Sequence, residues 1–135
     1  MKNISKIILS FSLLIFLACS GYGEKLQYKK TEVYYTAKVE KADAEKLGEF
    51  LVSSEFAGEN EKSIQLTKDE KTNHYIFRMV TTKEASESKT YETIFKIYAK
   101  QISDSVFNKQ PVDFHICDNT FNTIKVIPFE KNEAN

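Results

Sequence analysis

His115 and Cys117, in the stretch "HIC", are the residues whose types and spacing come nearest to reactive chemistry. On an extended strand they share one side, about 7 Å apart at two residues' rise. An imidazole can activate a thiol nucleophile, and the two together can ligate a transition metal. A structural zinc site wants four ligands, so His74 with Asp113 or Asp118 would have to complete it. The competing reading is a strand histidine beside a tucked-in cysteine. Arg78 carries different chemistry. It is the only arginine in the chain, and a guanidinium can hold a carboxylate or phosphate through two parallel hydrogen bonds. Otherwise it pairs with a cross-strand acid on a solvated sheet face. Asp69-Glu70 and the "GENE" loop, Gly58 to Glu61, are acidic but lack the ligand spacing of a calcium loop. No C-x-x-C, H-E-x-x-H, G-x-S-x-G or glycine-rich phosphate loop occurs. The sequence therefore names no catalytic or metal set and calls for no cofactor.

These residues must be placed by elements, and the periodicity names them. Val33, Tyr35, Ala37 and Val39 alternate with Tyr34, Thr36 and Lys38, the period of a strand. "KADAEKLGEFLVSSEF" changes to helical spacing through Ala44, Leu47, Phe50 and Leu51, with Asp43 and Glu45 where the helix dipole favours acids. Ile64 and Leu66 mark a second strand; Tyr75, Phe77 and Met79 mark a third, across a polar turn at Lys68–Thr72. Tyr91, Ile94, Phe95, Tyr98, Ile102 and Val106 form the stripe of a second helix. "PVDFHICDNTFNTIKVIPF" reads as a hairpin about Asp118-Asn119. The order β-α-β-β-α-β-β predicts an α+β, two-layer, ferredoxin-like βαββαβ fold with an extra C-terminal edge strand. Right-handed crossovers would put the first and third strands at the centre and both helices on one face. Val33, Tyr35, Phe77, Met79, Phe114 and Ile116 would then face the helices. Tyr34, Thr36, Lys38, His74, Arg78, Asp113, His115 and Cys117 would face away, with Tyr34, Lys38, Arg78, Asp113 and His115 as a speculative binding set.

The amino end reads as an address. Lys2 and Lys6 precede an apolar run from Ile7 to Ala18, the length of a secretory hydrophobic region and short of the ~20 residues that span a bilayer. With residues 1–18 removed, 17 basic residues face 19 acids, a net charge of −2, which leaves no excess to neutralise nucleic-acid phosphates. Residues 19–31 read as a flexible tether, 32–129 as one folded domain and 130–135 as a frayed tail. Phe16-Leu17-Ala18-Cys19 resembles the lipobox of bacterial lipoproteins. The resemblance implies that the Cys19 thiol takes a diacylglyceryl group and that the chain is cut just before it. Such an anchor, of two or more acyl chains, is stable. Cys117 is then the only thiol left and can form no internal disulfide.

The blocks "VYYTAKVEKADAEKLGEFLV", "KSIQL", "HYIFRMV" and "VFNKQPVDFHICD" resemble a domain of uncharacterised bacterial membrane-associated proteins, a likeness that implies a self-contained domain and no particular activity. The expectation is a lipid-anchored, non-enzymatic binding or interaction module of the cell envelope, at the outer membrane. Its partners would be membrane lipid through Cys19 and a protein or small anionic ligand, not nucleic acid. The alternatives are a small thiol-dependent enzyme using Cys117 and His115, and a purely structural envelope component.

Overall fold

The computed structural model describes residues 21–131; the expected signal 1–18, the lipidation site Cys19 and residues 132–135 of the expected tail lie outside them. Six strands and three helices follow one another as β1 (Glu24–Tyr28), β2 (Thr31–Tyr35), α1 (Lys41–Ser53), β3 (Lys62–Lys68), β4 (Tyr75–Val80), α2 (Lys83–Glu87), α3 (Lys89–Ser105), β5 (Val112–Cys117) and β6 (Thr123–Ile127). The strands form one mixed sheet in the order β1-β2-β3-β4-β5-β6. β2 and β3 run parallel, as do β4 and β5, and the other neighbours run antiparallel.

The α+β class holds, and the ferredoxin-like layout does not. That layout interleaves its strands, whereas here each strand lies beside its neighbours in sequence. The helices nonetheless share one face: Phe50 of α1 lies 5.8 Å from Tyr98 of α3, and Phe95 of α3 stacks at 4.6 Å on Phe114 of β5. The two crossovers step the same way across the sheet between strand pairs that run in opposite directions. With both helices on one side, the two connections have opposite hands, so one departs from the right-handed rule. Applying that rule to both connections is what produced the interleaved expectation.

Alternation along the strands sets the two faces. Val33, Ile64, Leu66, Phe77, Phe114 and Ile116 are fully or almost fully buried against Ala44, Leu47, Leu51, Ala99 and Ile102 of the helices, so the inward set read from sequence holds. Of the helical stripe, Tyr91 and Ile94 are instead about half exposed (both 49 %). The long helical segment is two helices. Ser88 takes an extended ψ of 122°, closes α2, and its hydroxyl accepts from the Tyr91 amide to cap α3.

The stretch expected as a tether contains a strand. β1 pairs antiparallel with β2 over five residues, and its Tyr28 lies over α1. Gly48 leaves the room for that ring: a Cβ there would come within 2.0 Å of it. The first strand read from sequence also ends early. β2 stops at Tyr35, and Thr36 to Val39 form a turn closed by Val39 N–H on the Thr36 carbonyl. Finally, β5 and β6 join through residues 118–122 rather than the two-residue turn Asp118-Asn119. The Asp118 carboxylate accepts from the backbone N–H of Thr120 and Asn122, and a bulge between Ile116 and Cys117 shifts the register.

Candidate functional site

The sheet face away from the helices holds the polar residues that the sequence singles out. Register places Tyr34, Gln65, Arg78, His115 and Val126 in one row across β2 to β6. Arg78 is the centre of that row. Its Nη1 donates to Gln65 Oε1 at 3.0 Å, and its Nη2 donates to the Phe121 carbonyl and to Thr123 Oγ1 at 3.1 Å. Its Nε–H is buried and makes no hydrogen bond. Among the described residues, no carboxylate lies within ion-pairing range of this guanidinium. The cross-strand acid that a merely solvated face would supply is not there.

Arg78 and His115 lie in a groove of about 650 Å³ that also takes in Thr36, Lys38, Gln65, Thr67, Ile76, Thr123 and the turn from Lys68 to Lys71. Its rim is more basic than acidic. Lys38, Lys71 and Arg78 face Asp69 and Glu70, while the Lys68 ammonium turns to the other side and lies 4.4 Å from the Tyr75 ring centroid. Glu70 is engaged with Lys38 at 3.1 Å. The Asp69 carboxylate accepts from the amides of Lys71 and Thr72, which holds its pKa below the usual carboxylate range. A second recess, about 350 Å³, lies between α3 and Ile127–Glu130, but there Lys96 and Glu130 neutralise each other at 2.9 Å.

The expected binding set is only partly gathered. Arg78, His115 and Lys38 line the groove, Lys38 from the turn after β2 and not from the strand. Tyr34 is displaced to one side, where its ring packs edge-on against Tyr22 (5.6 Å) and Phe121 (5.8 Å). Asp113 belongs elsewhere. It faces the open side but bonds to His74 Nδ1 at 3.2 Å and to the Phe129 N–H at 2.8 Å, pinning the chain after β6. Sequence reading missed Gln65, Tyr22, Phe121 and Thr123. Only Gln65 left a signal, as a polar residue alternating with Ile64 and Leu66. Phe121 reaches the face because its backbone turns left-handed (φ 59°), which no local pattern announces.

His115 Nδ1 contacts Thr123 Oγ1 at 3.2 Å rather than the Cys117 thiol. Burial, and then the Arg78 charge, hold His115 below the ordinary histidine pKa, so the imidazole is biased neutral. Cys117 is wholly buried, and that burial pushes its thiol pKa up against the opposing pull of Arg78. A nucleophilic thiol needs access and a lowered pKa; this one has neither.

Taken together, these features define a two-layer α+β domain with one helix-covered sheet face and one open face built around an arginine without a counter-ion. A model of the AF_1994_N family N-terminal domain matches residues 25–127, well over half of the chain, and the chain belongs to that family. No curated protein and no solved structure matches it.

Proposed function

We propose that this chain is a lipid-anchored, non-enzymatic binding module of the bacterial cell envelope, at the outer membrane, that takes a small anionic ligand on its open sheet face. One observation carries the binding half of this reading: Arg78 lies in a groove of cationic excess with no carboxylate to pair it. A buried or half-buried cation without a partner is costly, and an oxyanion would supply the missing charge through hydrogen bonds of the charge-assisted kind. The export signal and Cys19 support the anchored half. Thiol chemistry at Cys117 is disfavoured by its cover and its raised pKa.

Titration with sulfate, followed through backbone amide shifts, tests the binding. Saturable shifts are expected at Arg78, His115 and their strand neighbours. Arg78→Lys keeps the charge and loses the fork, and should weaken sulfate about tenfold, the loss of one charge-assisted bond of ~1.5 kcal/mol. Lys100→Ala, which only breaks an i,i+4 pair with Asp104 on α3, should change nothing. Shifts that never saturate would remove the anion reading. The anchor is checked separately by mass: protein extracted from membranes should begin at an acylated Cys19, and an unmodified thiol there overturns it.

A further inference from the structure

The point at which the chain enters the fold says where the anion comes from. Tyr22 is docked on the open face: its ring lies 5.0 Å from Phe121, and its carbonyl accepts from Gln65 Nε2 at 2.9 Å. Phe121 and Gln65 are the same residues whose oxygens hold the Arg78 guanidinium. Only three residue steps separate Cys19 from Tyr22, a reach of about 10 Å at full extension. An anchor at Cys19 therefore does not hold the domain clear of the bilayer, as a tether of residues 19–31 would. It brings the open face to the head groups and leaves the helices on the far side of the sheet. The groups flanking the groove suit that position. Tyr22 is 37 % exposed, and tyrosine rings favour the head-group level. Val126, the register partner of His115, is 51 % exposed.

We propose that the open face lies against the membrane and that the Arg78 groove receives the phosphate of a lipid head group. This rests on the anchored, anion-binding reading above. The chain has no net basic excess, so diffuse attraction to anionic lipid would be weak. The contact is instead one phosphate at Arg78, with Lys71 on the rim and Lys38 exchanging its Glu70 pair (3.1 Å) for the phosphate, the anchor holding the face in place.

Acylated full-length protein in vesicles of phosphatidylcholine and phosphatidylglycerol provides the test. A fluorescent label is placed on Val126→Cys or on Ile97→Cys, the latter an exposed position of α3 (56 %), and quenched by brominated lipid. The Val126 label should be quenched several-fold more strongly than the Ile97 label; equal or reversed quenching overturns the orientation. In parallel, amide shifts are followed with dihexanoyl phosphatidylglycerol and with inorganic phosphate. Binding of the lipid at roughly tenfold lower concentration than phosphate supports the head group as ligand. Equal binding of both, or preference for inorganic phosphate, removes the lipid as source and leaves the anion site standing. Failure of both probes to bind would instead sink the anion-binding reading itself.

Discussion

At the scale of single residues, the site is a guanidinium on β4 beside an imidazole and a thiol on β5, and the Arg78 charge acts on both: it lowers His115 and pulls Cys117 down against burial. His115 is lowered by burial and by Arg78, while Asp113 and Asp69 pull it the other way. An anion seated at Arg78 would offset the guanidinium charge and raise the His115 pKa. Binding then takes up a proton, so sulfate affinity should rise as pH falls through and below the ordinary histidine range, and stay flat above it. Sulfate titrations between about pH 5 and 8 check this, sulfate itself holding constant charge there, and His115→Gln should flatten the profile. Stability without ligand carries the opposite sign. A histidine whose folded pKa lies below its unfolded value binds its proton more readily when unfolded. Its contribution is fully present above pH ~6.5 and is lost as pH falls toward the folded value. Denaturant midpoints of the wild type should therefore fall with acid more steeply in this window than those of His115→Gln. Cys117 gives a simpler outcome. Its thiol should resist alkylation in the folded protein and react only once denaturant opens the sheet; rapid labelling of the native chain would contradict its burial.

At the scale of elements, the contact of β1 with α1 is sensitive to a single methyl group. Gly48→Ala drives a Cβ into the Tyr28 ring. The ring must move off the helix, and overpacking of this kind costs roughly 1–3 kcal/mol. Removing the ring in Gly48→Ala/Tyr28→Ala should make the two changes strongly non-additive, because Tyr28→Ala abolishes the clash; urea midpoints of the four proteins measure the coupling. β1 also shows where sequence reading stops. Alternation in Val33 and Tyr35, in Tyr75, Phe77 and Met79, and in Phe114 and Ile116 marks strands with one buried face, so those elements and their inward set were legible. β1 has only Leu26 and Tyr28 as apolar residues, its edge is open, and its glycine- and lysine-rich surroundings read as linker. Lys38 fails in the other direction: its alternation continues into a turn, because Thr36 makes the last bond to the neighbouring strand, its N–H on the Leu66 carbonyl, and its own carbonyl then accepts from Val39. Arg78 and His115 could be placed on one face because period two forces it. Their enclosure by Tyr22 and Phe121 could not, since it depends on a left-handed residue in a loop and on a segment docked from the far edge of the sheet.

At the scale of the whole molecule, strand order decides which surface the amino end can reach. Periodicity fixes the side on which a residue lies and is silent on the order in which strands are laid down, so the interleaved and sequential sheets share one hydrophobic pattern. In the sequential sheet, β1 adds to the outer side of β2, and the chain just before it crosses the open face to reach Gln65 and Phe121. That crossing gives the covalent distance from Cys19 its consequence. If the short connection is what presses the open face to the bilayer, lengthening it should release the face without altering the fold. A ten-residue Gly/Ser insertion between Ser20 and Gly21 adds a flexible reach of about 17 Å, enough to let the domain lift or turn. The acylated insertion variant should retain the wild-type urea midpoint and its sulfate affinity in solution, while the difference in lipid quenching between labels at Val126 and Ile97 shrinks toward nothing. Quenching that persists unchanged would mean that the face is held down by its own contacts with lipid, Tyr22 and Val126 included, and not by the shortness of the chain.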